Sequence, residues 1–294
     1  KLRREGLKLG FKLLHSDKID NPKGVVESGV IKDSGKLVSI LKKFSLDYGV
    51  KYVYATLPEE KSYLFTTTIS WVPTENRRDA VAFILEENAP VSLADSVFDF
   101  TVISEDQSAD QINIAVTVLS KETINSYINV FESAGIIPVS FDIESQAVAR
   151  AVVHHDDKRS HLITNISKNK TGFYVVENGV VQFSTTPAYG AGGDELHLTI
   201  SDLKAEMRKV LAFWDTHADK SGKTMNKIEK ILLCGSGAAD KEFVKKLMSD
   251  VTIGFSLADV WLNVSPYRGY APDIPLEESL SYASPIGLVL PRNK

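Results

Sequence analysis

The sequence predicts an α/β protein whose first half carries an inserted α+β unit. Segments in which apolar and polar residues alternate, a pattern typical of strands, are interleaved with segments whose apolar residues recur at helical spacing. In the second half, two strand-like segments run directly into glycine-rich turns, and one of these turns opens a helix. Strands that alternate with helices along a chain are typical of the α/β class.

The composition is that of an ordinary globular chain. Of the 294 residues, 43% are hydrophobic and 24% are charged, which excludes collagen-like, low-complexity and wholly disordered classes. The net charge of −4 provides no global excess of positive charge, so a dedicated nucleic-acid binder is not expected. Cys234 has no second cysteine to pair with, which favours a reducing, cytoplasmic compartment. The apolar runs are far shorter than the ~20 residues of a membrane-spanning helix, and the basic first residues do not resemble a signal peptide.

The first 70 residues predict strands with one amphipathic helix packed on them. Residues 7–16, 24–33 and 51–70 alternate apolar and polar side chains, and Gly and Asp or Asn clusters separate them. Between the second and third of these segments, apolar residues recur at helical spacing from Ser34 until Gly49, which ends the predicted helix.

The next region predicts the inserted unit. A helix is predicted to begin at Thr74, as an N-cap, and to end before Pro90. Two strands follow over 96–104 and 111–120, and then a helix over 121–135 leads into a return strand. This order of elements is the size of a small α+β subdomain.

The second half predicts strands and helices in alternation. A helix is predicted over 144–155, a strand over 161–167 and a hairpin over 170–188. A long helix over 201–222 and a buried strand over 227–234 follow, and a glycine turn and a further helix come after that strand.

Two local patterns imitate functional motifs without the context that those motifs need. Gly222, Lys223 and Thr224 resemble the end of a phosphate loop, but His217 stands where the loop requires glycine, so we interpret the segment as a solvated loop. Residues 154–157, His-His-Asp-Asp, carry metal-ligand chemistry, but they lie where a helix stops, and adjacent residues on a helix point in different directions. The sequence therefore predicts no metal site, and because it shows no nucleophile with a supporting base, no catalytic residue.

The order of elements and several short motifs resemble one known family, the type IV pilus assembly protein PilM, which is actin-like and related to the cell-division protein FtsA. The resemblance covers nearly the whole chain, and its most specific block is FESAGIIPVSFDIESQAVARAV, which is similar to the family's helix-Gly-strand-Asp passage. EMRKVLAFW resembles a family helix that ends in two aromatic residues, and CGSG resembles the adenosine-side glycine turn. The matching positions are Leu57, Pro58, Glu86, Glu87, Ala89, Pro90, Asp99, Phe100, Gly135, Asp142, Ala147, Arg150, Glu206, Lys209, Leu211, Phe213, Trp214 and residues 284–290.

The resemblance implies an actin-like ATPase fold, which consists of duplicated ribonuclease-H-like halves, here with an inserted small α+β subdomain. Its predicted parts are the start of the first half without its first strand hairpin (1–57), the inserted subdomain (58–137), the return to the first half (138–157), the second half (158–280) and a C-terminal helix packed on the first half (281–294).

In that family ATP lies in a cleft between the halves, so the resemblance implies ATP and Mg²⁺ as cofactors. Two phosphate segments and the adenosine turn hold the nucleotide in the family. The residues of this chain that the resemblance assigns to nucleotide binding are Asn165, Ser167, Thr171, Gly192, Gly193, Glu206, Lys209, Gly235, Ser236 and Gly237.

The chain departs from the family pattern at three places in this site. No Asp-Ile-Gly hairpin opens the sequence, so the first phosphate site is expected to be absent. Asn165, Ile166 and Ser167 stand for the second Asp-Ile-Gly, which removes a carboxylate that could orient a metal-bound water. Between Gly193 and Leu203 the chain is also shorter than the family. ATP hydrolysis is therefore not expected.

Each of these residues also has a purely structural interpretation. The glycines can be turns that the fold retains without using them for a nucleotide. Glu206 and Lys209 are three residues apart, as in a solvated ion pair on a helix. Phe213 and Trp214 end an apolar helical stripe, which favours packing over base stacking.

For function, the resemblance implies a cytoplasmic scaffold of the inner-membrane assembly platform of the type IV pilus or of a related secretion system. The protein would be held at the inner membrane by its partners, above all by the N-terminal cytoplasmic peptide of a PilN-like membrane protein, in a groove beside the inserted subdomain. The pilus motor ATPase and a second copy of the chain are further implied partners.

Two other functions remain open at the level of the sequence. An ATP-dependent phosphotransferase or ATPase of the actin-like superfamily would need an acidic base and an intact first phosphate hairpin. An FtsA-like division protein would need a C-terminal amphipathic membrane helix, for which the segment between Pro285 and Pro291 is too short.

Overall fold

A computed structural model describes residues 2–4, 11–19, 21–88, 91–188, 196–216, 226–264 and 272–292. The chain divides into two compact units, a first unit of residues 17–144 and a second unit of residues 1–16 and 145–294. None of the described helices has the length and hydropathy that crossing a membrane requires.

The described strands and helices alternate along most of the chain. In order they are β1 (Leu2–Arg4), β2 (Phe11–Leu13), β3 (Val26–Glu27), β4 (Val30–Ile31), α1 (Ser34–Tyr48), β5 (Tyr52–Leu57), β6 (Tyr63–Ile69), α2 (Arg77–Asn88), β7 (Ser96–Asp106), β8 (Gln111–Ser120), α3 (Lys121–Ser133), β9 (Ile137–Ile143), α4 (Glu144–Val152), β10 (Ser160–Ile166), β11 (Thr171–Glu177), β12 (Val180–Thr185), α5 (Leu196–Thr216), β13 (Ile228–Cys234), α6 (Lys241–Leu247), β14 (Phe255–Leu257), α7 (Leu276–Ser279) and α8 (Ala283–Val289).

In the first unit, local signals set the ends of α1. The carboxylate of Asp33 accepts a hydrogen bond from the backbone N–H of Lys36 at 2.9 Å, so Asp33 and not Ser34 caps the helix. Gly49 ends α1 in the left-handed conformation, with φ of 59°, and its N–H donates to the carbonyl of Ser45. The helix packs against α3.

A two-stranded parallel sheet, β5 with β9, lies beside these helices in the first unit. Its register runs from Tyr52 opposite Ile137 to Leu57 opposite Ile143. Leu57 and Ile143 form a small buried cluster with Leu119, against which side chains of α3 pack. One face of the sheet is thus covered where its strands end.

The three antiparallel strands β6, β8 and β7, with β8 in the centre, form the other part of the first unit. Alternate residues of β8, from Ile112 to Val118, face a core that contains Val81 and Leu85 of α2. The predicted N-cap at Thr74 was wrong in position, because residues 74–76 form a 3-10 turn and α2 begins at Arg77.

The second unit is built on a five-stranded sheet in the order β12-β11-β10-β13-β14. β10, β13 and β14 run parallel, whereas β11 and β12 continue antiparallel from β10 as hairpins. Helices α5 and α6 cover one face, where a contiguous core includes Phe173, Leu203, Met207 and Phe243.

Trp214 anchors α5 in this core. Its side chain is 1% exposed and its indole Nε1–H donates to the carbonyl of Asn226 at 2.9 Å, which satisfies the polar end of the ring. Phe213 lies at the rim of the same core, 43% exposed, with its ring centroid 5.0 Å from that of Phe183. The expectation that both aromatic residues pack is confirmed.

The boundaries of the two compact units differ from the boundaries expected from the sequence. The first unit keeps β5, the three-stranded sheet, α3 and β9 together, so the predicted boundaries at 57/58 and 137/138 both fall inside it. Those boundaries remain predictions, because a division by compactness does not test them.

Within the second unit, the backbones of α4 and α8 touch at a glycine. A Cβ added to Gly287 would overlap the carbonyl oxygen of Ala147 and lie 3.1 Å from its Cα. The guanidinium of Arg150 donates from Nε to the carbonyl of Gly287 at 3.1 Å, which adds a polar contact between the same helices. Glycine therefore permits the close approach of the two helices.

We expect Gly287→Ala to lower the free energy of unfolding by about 1–3 kcal/mol, because the new methyl group must push rigid backbone apart. Alanine favours a helix by itself, so a loss of stability reports the packing contact and not helix propensity. Urea denaturation followed by circular dichroism measures the change.

Gly254→Ala is the matched control, since nothing lies within 4 Å of a Cβ added there. This variant should stay within about 0.5 kcal/mol of the wild type. Equal stabilities for Gly287→Ala and the wild type would contradict the proposed helix contact.

Candidate functional site

Two of the sequence-predicted turns meet at one edge of the five-stranded sheet. β10 and β13 are parallel neighbours, and Asn165 lies opposite Cys234 in their register. The backbone leaves the sheet through Ser167 after β10, and again through Gly235 after β13. The carboxyl edge of adjacent parallel strands is a usual place for ligands in α/β proteins.

Gly235 is the point of closest approach between the two turns. Its φ of 86° is left-handed, and an added Cβ would overlap the carbonyl oxygen of Ile166 and lie 2.6 Å from Oδ1 of Asn165. Its N–H donates to the carbonyl of Leu280 at 2.8 Å. Packing therefore requires glycine here, whether or not a nucleotide binds.

The chain after Gly235 forms a 3-10 turn, Ser236–Ala239, before α6 begins. Within it Ser236 is exposed and Gly237 is buried. Asp240 caps α6 by accepting a hydrogen bond from the N–H of Phe243 at 3.0 Å. Of this turn, the hydroxyl of Ser236 is the side-chain group open to a ligand.

The turn between β10 and β11 is tight. The N–H of Ser167 donates to the carbonyl of Lys170 at 2.9 Å, which closes the turn over residues 167–170. Ser167 is half-buried, and the intervening Lys168 is exposed. Lys168 and Lys170 were not among the predicted site residues, although two lysines in one turn favour an anion nearby.

Thr171 is directed away from this edge. It is fully buried at the start of β11 and pairs in register with Ile166, a member of the core beneath α5 and α6. Among the described residues, its hydroxyl oxygen has no hydrogen-bond partner. The side chain of Thr171 therefore lies on the face of the sheet that α5 and α6 cover.

Glu206 and Lys209 form an ion pair on one flank of α5, with Nζ 2.6 Å from Oε1 and side chains 27% and 71% exposed. Phe213 is seven residues beyond Glu206 and so lies on the same flank, where it contacts Phe183 of β12. β12 is one edge strand of the sheet, and β11 and β10 lie between it and β13. The pair therefore lies on the side of α5 that faces away from Gly235.

The opposite flank of α5 faces the end of α6. Lys204 Nζ lies 2.9 Å and the guanidinium of Arg208 lies 3.2 Å from the carboxylate of Asp250. The hydrogen bond from Lys204 is the main cause that holds the pKa of the exposed Asp250 carboxyl below its usual value. These contacts fix which way the helix is turned on the sheet.

The structure thus brings together Asn165, Ser167, Gly235, Ser236 and Gly237, and it places Thr171, Glu206 and Lys209 elsewhere. The predicted residues Gly192 and Gly193 lie outside the described residues, as do Ala89 and Pro90.

The chemistry of the edge is that of neutral donors and acceptors. The five predicted residues that meet there offer an amide, two hydroxyls and backbone groups, and none of them is charged. Asn165 replaces the carboxylate that could orient a metal-bound water, so this set fits Mg²⁺ poorly, since the ion prefers carboxylate and phosphate oxygens. A phosphate contact would depend on backbone N–H groups and the turn lysines.

The solved structures that match this chain include two of high coverage and with TM-scores of 0.50 or more. The first is described as a PilM-PilN type IV pilus biogenesis complex. The alignment covers 98% of this chain and 93% of the solved chain, with 17% identity and a TM-score of 0.77. The second is the ethanolamine utilization protein EutJ from Carboxydothermus hydrogenoformans. The alignment covers 90% of this chain and 76% of the EutJ chain, with 11% identity and a TM-score of 0.50. At these identities the likeness concerns the fold, which is the predicted actin-like α/β fold.

No curated protein matches the chain. The family model of the type IV pilus assembly protein PilM does match it, over residues 7–203. This span includes the first unit, the passage into α4, both strands of the β10–β11 hairpin and the start of α5. Together with the fold, it makes the chain a member of the PilM family of type IV pilus assembly proteins.

Proposed function

We propose that this protein is a scaffold of the type IV pilus assembly platform, cytoplasmic and held at the inner membrane by a PilN-like partner. Membership of the PilM family is the observation that carries the proposal. The likeness of fold to the PilM of a PilM-PilN complex over 98% of this chain supports it. The PilN-like protein is expected to contribute the N-terminal peptide of its cytoplasmic side.

The first unit offers a surface for such a peptide on the sheet of β5 and β9. Alternate residues are exposed on both strands, Tyr52 and Tyr54 on β5 and Ile137 and Val139 on β9, at 61%, 52%, 46% and 53%. Tyr52 lies opposite Ile137 in the register, so these two side chains share one face. The register then shifts, so that Tyr54 lies opposite Ser140 and Val139 stands at the irregularity. We call this group the β5–β9 face.

The β5–β9 face is unusual for a parallel sheet. Parallel strands are normally covered on both faces, and apolar alternation outward on both strands is the pattern of a surface that something covers. Tyrosine is also enriched among residues that dominate binding energy at interfaces. The face belongs to the same unit as the three-stranded sheet, beside which the family resemblance puts the peptide groove.

We expect Tyr54→Glu and Val139→Glu each to weaken binding of a PilN-like N-terminal peptide by about 2 kcal/mol, roughly thirtyfold in Kd, because each places a charge in an apolar contact. Fluorescence anisotropy with a labelled synthetic peptide from the same organism's PilN-like protein measures the change. Both side chains are exposed, so circular dichroism should show an unchanged fold.

Phe83→Glu provides the control, since Phe83 is 81% exposed on α2 of the same unit and lies outside the β5–β9 face. It should bind the peptide as the wild type does. Peptide binding that survives Tyr54→Glu and Val139→Glu would contradict the surface. Absence of binding by the wild type would contradict the partner itself.

The glycine edge of the second unit supports a scaffold more than an ATPase. Asn165 stands where a carboxylate would orient a metal-bound water, and Gly235 has a packing reason to be glycine. Thr171 is fully buried. We infer that the fold is kept for its docking surfaces and that this edge does not hydrolyse ATP.

The purified chain should therefore release phosphate from ATP and Mg²⁺ no faster than a heat-inactivated sample, in a steady-state assay. Turnover well above that control would instead favour the actin-like phosphotransferase or ATPase alternative. A fluorescent-ATP titration complements the assay. Any saturable binding at the glycine edge should be lost in Ser236→Glu, because the longer, charged side chain would fill the exposed position on the adenosine side of the site.

Thr171→Val tests the assignment of one predicted nucleotide residue. The substitution keeps the shape of the side chain and removes a buried hydroxyl that has no partner among the described residues, so we expect an unchanged or higher free energy of unfolding, by up to about 1 kcal/mol. It should also leave any nucleotide affinity unchanged. A loss of stability together with a loss of nucleotide binding would show that Thr171 reaches the ligand.

A further inference from the structure

The chain turns sharply after α4, at the His-His-Asp-Asp run. α4 ends at Val152, and the N–H of Asp157 donates to the carbonyl of His154 at 2.9 Å, which closes a turn over 154–157. The sequence argument against a metal site assumed helical geometry, in which adjacent residues point in different directions. In a turn that argument does not apply.

The turn gathers three side chains with metal-ligand chemistry. The imidazole rings of His154 and His155 stack, with centroids 4.2 Å apart and an interplanar angle of 30°. Oδ2 of Asp156 lies 3.3 Å from Nε2 of His155 and 3.9 Å from Nδ1 of His154. One ligand atom from each residue can be chosen so that all three lie within 4.8 Å of one another.

These separations are close to what a metal ion requires. A tetrahedral ion with bonds of about 2.1 Å sets its ligand atoms about 3.4 Å apart. The contact between His155 and Asp156 already meets that value, and Nδ1 of the 45% exposed His154 lies 3.9 Å from the same carboxylate oxygen. The N–H of Asp156 donates to Nδ1 of His154 at 3.2 Å, a bond that a metal ion at this nitrogen would replace.

A neighbouring amide orients His155. Nδ2 of Asn263 donates to the carbonyls of Arg150 at 2.9 Å and Val153 at 2.6 Å, which fixes the amide with Oδ1 turned outward. That oxygen lies 3.5 Å from Nδ1 of His155. An acceptor at Nδ1 favours a proton there and leaves the Nε2 lone pair for a metal, as is common for metal-binding histidines.

The electrostatics of the turn favour a cation. The turn follows the carboxyl end of α4, and the carboxyl end of a helix carries partial negative charge. The guanidinium of Arg159, two residues beyond the turn, is engaged by Asp157 at 2.6 Å. Asp157 also lies 3.0 Å from Nε2 of the buried His161.

We propose that His154, His155 and Asp156 form a binding site for a divalent transition-metal ion of the zinc class. Two imidazole nitrogens and one carboxylate oxygen form a donor set that suits Zn²⁺ and its neighbours in the first transition row and not Mg²⁺ or Ca²⁺. The side chains of these residues are 45%, 63% and 80% exposed, so water or a side chain of a bound protein completes the coordination.

The test is isothermal titration calorimetry of tag-free protein with Zn²⁺ and, separately, with Mg²⁺. The wild type should bind one Zn²⁺ per chain saturably and should not bind Mg²⁺ in the same range. His155→Ala and Asp156→Asn should each weaken Zn²⁺ binding at least tenfold, because each removes one of three ligands, while the melting curve in EDTA stays that of the wild type.

The other histidines supply the control. The sequence has six, and His15, His197 and His217 lie outside the turn, while His161 is 3% exposed and Cys234 is fully buried. The combined variant His15→Ala, His197→Ala and His217→Ala should bind Zn²⁺ as the wild type does. No saturable binding by the wild type, wild-type affinity in His155→Ala or Asp156→Asn, or loss of binding in the combined variant would each overturn the proposal.

Discussion

Parallel pairing of β10 with β13 is the constraint on which the second unit depends. These strands are separated by a hairpin and a long helix in the sequence, yet their register brings Asn165 opposite Cys234. The turns that follow them must then share one edge of the sheet. At that edge the backbone of Gly235 approaches Ile166 so closely that a side chain at this position would displace the turn. The packing of the sheet thus requires the glycine turn, which is also a candidate ligand site.

The proposed scaffold function is compatible with this dual role of the glycine edge. A fold that needs its turns for packing keeps them after the ligand chemistry has changed, and here the carboxylate of the family's second phosphate segment is an asparagine. The surfaces most open to partners lie elsewhere, on exposed residues such as Tyr52 and Val139 of the first unit and on the histidine turn of the second. Binding at such surfaces does not require nucleotide turnover.

Much of the fold was predictable because the period of apolar residues and the residue types that form turns are local properties of the sequence. The predicted helix after Ser34, the strands on both sides of 105–110 and the strand-turn-helix around Gly235 all appear in the structure. The starts of helices were harder to predict. A side-chain hydrogen bond to Asp33 sets the start of α1, and the 3-10 turn at 74–76 precedes the start of α2. Two adjacent polar residues that both qualify as caps cannot be ranked by pattern alone.

The sequence by itself determined the elements, the positions of the turns and the family, because alternation, helical spacing and motif order are written along the chain. Only the tertiary structure decided which candidate residues meet. Thr171 belongs to a strand with two faces, and the register directs it into the core. Glu206 and Lys209 belong to a helix whose rotation is set by the contacts of Phe213 and Lys204 on opposite flanks. The histidines at 154 and 155 meet because the chain leaves the helix just before them, and a one-dimensional pattern does not carry that change of direction.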